Sequence, residues 1–323
     1  MKAKRETRGS IAPLGIGWYI EEMARIDLKK MEKLVSQGYL TMRKHPEVDL
    51  LVFNYTAKTQ YDKFWIPETI MSRGLITTGE GEILARPFEK FFNVDEYKGV
   101  LPNEPFEIHE KMDGSLGILY WVGDEPRIAT RGNFVSKQAE KGTEILKKKY
   151  PQIELNRGHT YLFEIIYPEN KVVVDYGQTE ELVLLAVRET ETGKEIDLQN
   201  SNAQFPKVRR VEWSDDLVKL GEQTGENKEG FVVKYASGLR LKIKISEYVR
   251  LHRLVTGVTS KVIWEHLKSG LGVEEMLERV PDEFYSWVKR TKSELSARYG
   301  EIEEEVGRTV KSAEELGIRK DQA

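Results

Sequence analysis

The chain has 323 residues, with 50 Lys and Arg against 53 Asp and Glu, a formal net charge of −3 and no cysteine. That length suits one large domain, or a large one with a smaller appendage, and near-neutrality means that a polyanionic partner would meet a local basic groove rather than a global field. Lack of cysteine excludes a disulfide framework and a zinc ribbon; no run is apolar and long enough for a signal or a membrane span, so a soluble, cytoplasmic protein with no membrane partner is expected.

In chain order, residues 1–10 are basic and polar and read as a frayed end. Ile20, Met23, Ile26, Met31 and Leu34 recur at helical spacing and predict a packing helix over Tyr19 to Gln37, within an N-terminal helical extension of residues 1–49. From Leu50 the texture is that of strands: LLVFNY, GLITT, then the turn Gly79 to Glu82 leading into ILARPFEKFF, which together predict a hairpin. Arg73 before Gly74, and Lys90 with Phe92 close by, stand out here, although each basic residue alone is compatible with a solvated charge.

Phe106 to His109 and LGILYWV predict strands flanking Glu110-Lys111-Met112-Asp113-Gly114, which puts Lys111 in a loop. A further strand opens at Arg127 and closes at Thr130-Arg131-Gly132-Asn133. A helix follows from Ser136 to Tyr150, stopped by Pro151, with lysines in its last turn complementing the dipole. In Tyr161 to Tyr167 the period of two sets Glu164 on one face with Leu162 and Ile166, where an ionised carboxylate is expensive unless it meets a cation, a metal or a donor. VVVDY and ELVLLAVRE read as strands, ETETGKE as a turn, and Asp215 to Gly221 as a short helix. Glu229 falls in phase with Phe231 and Val233, a second acid on an apolar face. After the turn Ser237-Gly238, the run Leu239 to Ile245 alternates, with Arg240, Lys242 and Lys244 on one face. That strand is either half-exposed with its lysines in water or aims a pair of cations at one phosphate. From Ser246 onward the pattern is helical, and residues 256–323 are expected to form a small all-α unit.

Alone, the Lys-x-Asp-Gly stretch is compatible with a charged surface turn; the alternative is a nucleophilic lysine. A lysine attacks only as the free amine, and its ordinary pKa of ~10.4 leaves on the order of one in two thousand neutral at pH 7, so a nucleophilic lysine needs nearby cations or burial. Gly114 is expected to let the backbone approach a nucleotide. Taken together, the order of basic residues, Lys-x-Asp-Gly, Arg-Gly, a strand glutamate, Glu-Gly and Lys-x-Lys resembles the covalent nucleotidyltransferase superfamily. Within it the chain is similar to the RNA ligase 1 family of ATP-dependent, phage T4 RNA ligase 1-like enzymes, through FNYTAKTQYDKFWIPETIMSRG, ARPFEKFFN, EKMDGSLGILY, FEIIYPENKVVVDY, LLAVRETETG and EGFVVKY…LKIKISEYVRLH.

The resemblance implies an α+β nucleotidyltransferase (ligase adenylylation) domain with antiparallel sheets over residues 1–255, followed by the small C-terminal helical domain. Its implied function is ATP-dependent joining of 5′-phosphate and 3′-hydroxyl RNA ends, in single-stranded RNA or tRNA, by way of lysyl-AMP. The alternatives are a broader single-stranded DNA and RNA ligase, or an inactive RNA-end-binding protein. It makes Lys111 the nucleophile, gives Lys242 and Lys244 to the α-phosphate, and gives Arg73, Lys90, Glu110 and Arg131 to the nucleotide, with Phe92 beside the adenosine. Glu164 and Glu229 would serve the ribose and a Mg²⁺ or Mn²⁺ ion, and Gly230 would let its strand pass close to the nucleotide.

Overall fold

The computed structural model describes residues 24–315 apart from 98, 199–203, 214–216, 223–226, 247, 250–256, 258, 271–272 and 274–282. Asp27 caps the first helix, α1 (Leu28–Ser36), by accepting from the Lys30 amide at 3.1 Å, and Met31 and Leu34 on its inner face are buried. The part of the expected helix over residues 19–23 lies outside the described residues; from residue 24 on, the helix begins at Leu28 and Ile26 packs from the segment before the cap. Residues 40–44, assigned from sequence to a helical extension, instead form β1 (Leu40–Lys44), whose Leu40 joins Met31, Phe53 and Leu75 in one apolar cluster.

β1 pairs with β2 (Leu50–Tyr55), β2 with β3 (Arg73–Thr78) and β3 with β4 (Ile83–Ala85) in an antiparallel four-stranded sheet. Two short helices, α2 (Ala57–Asp62) and α3 (Pro67–Met71), bridge β2 to β3. Of the expected strand ILARPFEKFF only its ends are extended, as β4 and β5 (Phe92–Asn93), with the irregular Arg86 to Phe91 between them. Pro87 has no amide to give a ladder, and the Arg86 guanidinium is tied to the carbonyls of Thr190 and Glu191.

A second sheet has the order β11-β10-β9-β7-β8, built from β7 (Ser115–Val122), β8 (Glu125–Thr130), β9 (His159–Ile166), β10 (Glu181–Glu189) and β11 (Glu195–Ile196). One face meets the first sheet through Ile118, Tyr120 and Leu162 on Val52 and Ile76; the other is covered by α4 (Lys137–Lys149) through Ile145 and Leu146 on Ile128 and Ile165. Ser136 caps α4, and its last turn holds Lys147, Lys148 and Lys149, as the sequence predicts.

The third sheet runs β12-β6-β13-β14-β5, from β12 (Arg210–Val211), β6 (Phe106–Lys111), β13 (Gly230–Tyr235), β14 (Arg240–Lys244) and β5; only the β14–β5 pair is parallel. Ile108, Phe231, Val233, Leu241 and Ile243 bury one face of this sheet with Leu217 and Leu220 of α5 (Leu217–Gly221). The opposite face is the floor of a cleft. Farther on, α6 (Ser260–Lys268) and α7 (Glu283–Glu315) confirm the helical texture, packing Ile263 and Val288 together against Ala57 and Tyr61 at α2; the expected boundary at residues 255 and 256 lies outside the described residues. No helix among the described residues is long and apolar enough to cross a membrane.

Candidate active site

Strand register turns the sequence alternation into a grid. Lys111, Gly230 and Lys244 lie side by side across β6, β13 and β14; the next row is His109, Val232 and Lys242, with Arg210 beyond His109; the third is Glu107, Lys234 and Arg240. These rows form the floor of a cleft of about 1420 Å³ whose walls come from the first and second sheets. Neighbouring strands are about 4.8 Å apart, so Lys111 and Lys244 stand roughly 10 Å apart at their Cα atoms with only a glycine between them.

Lys111 is the last residue of β6 rather than part of a loop, and the tight turn follows it. Asp113 in that turn is buried: its Oδ2 accepts from the Val173 and Val174 amides at 2.9 and 2.8 Å, and its Oδ1 accepts from the Tyr248 hydroxyl at 2.9 Å. Those bonds explain a second departure, since VVVDY is held as bends against Asp113 instead of extending as a strand. At Gly114, which lines the cleft, a Cβ would meet the Ile165 carbonyl at 2.7 Å and Glu164 Cγ at 3.1 Å, so the missing side chain allows close packing on β9.

Glu229 occupies the gap between the two lysines. Its Oε2 lies 2.6 Å from Lys111 Nζ and its Oε1 3.2 Å from Lys244 Nζ, and the carboxylate is 4 % exposed. The period-two reading placed Glu229 with Phe231 and Val233, which face the core, but Gly230 has a φ of +153° and turns the preceding side chain onto the cleft face. A Cβ at Gly230 would sit 2.0 Å from the Ile243 carbonyl, so what Gly230 allows is close approach to β14. Lys242 and Lys244 are on the cleft face and largely covered, not in water: Lys242 is 8 % exposed and the Lys244 side chain 9 %. Lys244 Nζ also lies 5.2 Å from the Tyr248 ring centre, so Tyr248 joins the Asp113 turn to the second lysine.

Glu164 Oε1 accepts from the Gly114 amide at 3.0 Å. Burial pushes its carboxyl up to about 8, with the Glu229 charge adding to the effect and Lys111 and Arg73 opposing it. Below the ordinary value of 4.5 this group is protonated in both folded and unfolded chains; as pH rises from there to about 8, the unfolded chain ionises first and stability is lost. Glu164→Gln should thus leave the melting temperature unchanged near pH 4 and raise it near pH 8 when no divalent ion is present, as read by calorimetry at the two pH values. An equal shift at both would show that the carboxyl is not held neutral.

Arg73, Lys90, Arg131 and Glu110 all line the cleft. Arg73 lies over the Phe91 ring at 5.2 Å, Arg131 over Tyr55 at 5.7 Å, and Glu110 pairs with Arg209 at 3.1 Å on the cleft's edge. Phe92 is a correction: it does not line the cleft but packs on Trp65, and with Tyr55 and Trp65 it surrounds the Lys90 ammonium at 5.1 to 5.7 Å. Among the rings that do line the cleft are the neighbouring Phe88 and Phe91, with Tyr55 and Tyr248.

Sequence reasoning missed Glu195, read as part of a turn. It forms ion pairs with Arg240 and, at 2.8 Å, with Lys234. Burial works to raise this carboxyl, but Arg240 and Lys234 outweigh it and hold it down at about 2. Glu195 thereby neutralises the third row and leaves the positive charge of the floor concentrated at Lys111, Lys242 and Lys244. Nothing in its local sequence signals this role, because its partners are about 40 residues away.

The family model described as RNA ligase matches residues 71–248, more than half of the chain, and spans every site residue expected from the sequence. The chain belongs to the RNA ligase family. This RNA ligase family member is 30% identical over 249 residues to the "Putative RNA ligase" of Thermovibrio ammonificans, covering 71% of this chain and 64% of that one. It is 25% identical over 291 residues to the RNA ligase of Rhodothermus phage RM378, covering 65% and 66%. The chain therefore spans a little under two thirds of the length of each. Among solved structures, an archaeal ATP-dependent RNA ligase is similar with a TM-score of 0.48 and 14% identity, over 85% of this chain and 74% of that one.

Proposed function

We propose that the chain is an ATP-dependent RNA ligase that joins a 5′-phosphate to a 3′-hydroxyl. The observation that carries the reading is the row Lys111, Gly230, Lys244 with the Glu229 carboxylate between the two ammoniums. Lys111 Nζ attacks the α-phosphorus of ATP, a P–N bond forms, and pyrophosphate leaves on the opposite side. Lys242 and Lys244 meet the charge that grows on the α-phosphate oxygens, while Arg73, Lys90 and Arg131 hold the departing phosphates. A 5′-phosphate oxygen of the RNA then attacks the same phosphorus; the P–N bond breaks and the lysine nitrogen takes up a proton. Finally the 3′-hydroxyl of the second end attacks the 5′-phosphorus, loses its proton, and expels AMP.

Among the described residues no group of three or more His, Asp or Glu side chains is arranged to hold a metal. That suits a Mg²⁺ or Mn²⁺ ion that keeps most of its waters and binds through one or two carboxylates and the substrate phosphates. Glu164 fits such a role because a carboxyl raised to about 8 ionises readily only when a cation arrives, and Glu229 lies in the same part of the cleft. Bound there, the ion would offset phosphate charge.

The test is one preparation offered single-stranded RNA, matching single-stranded DNA and a nicked DNA duplex, each with a 5′-phosphate, ATP and Mg²⁺. RNA should be joined or circularised fastest, and DNA more slowly for want of the 2′-hydroxyl. Fastest sealing of the nicked duplex would overturn the substrate, and RNA binding without any joining would show an end-binding protein.

A further inference from the structure

The second half of α7 carries an apolar stripe that the other described residues leave largely uncovered. Near its start the helix is packed, with Val288 buried and with Trp287 and Leu295 in the cluster around Ile263 of α6. Tyr299 still touches Trp264 of α6, at 5.6 Å between ring centres, and from Glu301 to Ser312 every residue is exposed. Tyr299, Ile302, Val306 and Val310 are each about half exposed, and with Leu295 they follow one another at steps of four, three, four and four residues. Those steps keep them on one face and are the ones at which two helices pack along a shared seam. Apolar residues scattered singly are ordinary on a surface; a stripe of them along about 22 Å of helix is not. The helix also needs the contact. Gly300 and Gly307 have nothing within 4 Å of where a Cβ would sit, and each weakens a helix relative to alanine. A solvated helical stretch of this length is marginal alone, so its stability comes from what covers the stripe.

Charge selects the occupant. Residues 296–300 hold Arg298 and no acid, whereas residues 301–305 hold Glu301, Glu303, Glu304 and Glu305. A parallel second copy would lay those four glutamates beside their own counterparts and bring both packed ends to the same side. An antiparallel copy, crossing between Gly300 and Glu301, sets each acidic run against the Arg298 turn of the other. In that register Tyr299 faces Ile302 of the copy, Leu295 faces Val306, and Arg298 stands beside Glu305. Each contact occurs twice, because a twofold pair is self-complementary. We propose that α7 is a dimerisation helix whose stripe docks antiparallel on the same stripe of a second copy of this chain, with Arg298 and Glu305 fixing the register. Nothing in this docking depends on the ligase reading.

The experiment reads the mass of the full chain by light scattering behind a sizing column, over a range of concentrations. Wild-type protein should be a dimer. Ile302→Glu combined with Val306→Glu should give a monomer at every concentration, with a single cooperative thermal transition showing that the body is folded. Arg298→Glu should raise the dimer dissociation constant about tenfold, because two pairs turn from attraction to repulsion. Adding Glu305→Arg to that variant should restore the dimer, a rescue that misfolding does not imitate; it decides the matter even if the double glutamate variant does not fold. Rescue by Glu303→Arg instead of Glu305→Arg would mean a parallel pair and overturn the assignment. A dimer that survives the double glutamate substitution would place the interface elsewhere. A monomeric wild type overturns the second copy as the occupant, and if its melting temperature also falls on Ile302→Glu, the stripe is covered from within the chain.

Discussion

Lys111→Ala should carry no covalent AMP after incubation with α-labelled ATP and Mg²⁺, while the wild-type band on a denaturing gel is labelled and loses its label in acid. Of the four lysines on the floor, Lys244 is held between Glu229 and the Tyr248 ring, Lys242 is covered and Lys234 is paired with Glu195, whereas the Lys111 side chain is 23 % exposed and stands at the head of its row. It is also the last residue of β6, and the buried Asp113 turn that follows fixes its place at the end of the row. Lys111→Arg should fail as well, because a guanidinium stays charged and cannot attack phosphorus. Neither change should unfold the protein, since Glu229 keeps Lys244 as a partner and no buried charge is left alone. Thermal melting checks that point. An acid-labile adduct persisting on the alanine variant would move the nucleophile elsewhere.

How far the site could be read from the sequence depends on the range of the interaction. Strands with clean alternation, such as Leu239 to Ile245, place Arg240, Lys242 and Lys244 on one face, and the structure puts those three on the cleft floor. Glu164 is likewise on the face it shares with Leu162, and its raised pKa is the cost that an acid on an apolar face implies. Reading failed where one backbone angle or a distant partner decides. Gly230 at φ +153° swaps the face of Glu229, which no counting of alternate residues reveals. Val172 to Tyr176 has the composition of a strand, yet the Val173 and Val174 amides are claimed by Asp113, some 60 residues earlier. Phe92 and Phe91 are adjacent and equally aromatic, and only the positions of Trp65 and Tyr55 determine which of them faces the cleft. Glu195 depends on Arg240 and Lys234 in the same way.

Glu229→Gln should lower adduct formation by on the order of 10²–10³-fold, the scale at which a single positioned polar group acts in such sites. Gln keeps the shape but removes the charge that lies 2.6 Å from Lys111 and 3.2 Å from Lys244. Two consequences follow from that geometry. Without the carboxylate, two ammoniums flank one glycine with no anion between them, so Lys111 loses the contact that aims it along the row. The carboxylate is also the group touching the ammonium, and hence the nearest acceptor for the proton that must leave before the amine can attack. Glu191→Gln is the matched control: Glu191 is exposed in a turn, its backbone carbonyl is what binds Arg86, and its loss should change the rate less than twofold. Equal, small losses at the two positions would remove Glu229 from the chemistry. Adduct formation that continues undiminished in EDTA with no added divalent ion would confine both Glu164 and Glu229 to charge pairing and positioning, and the Glu229→Gln defect would then have to be explained by Lys111 alone.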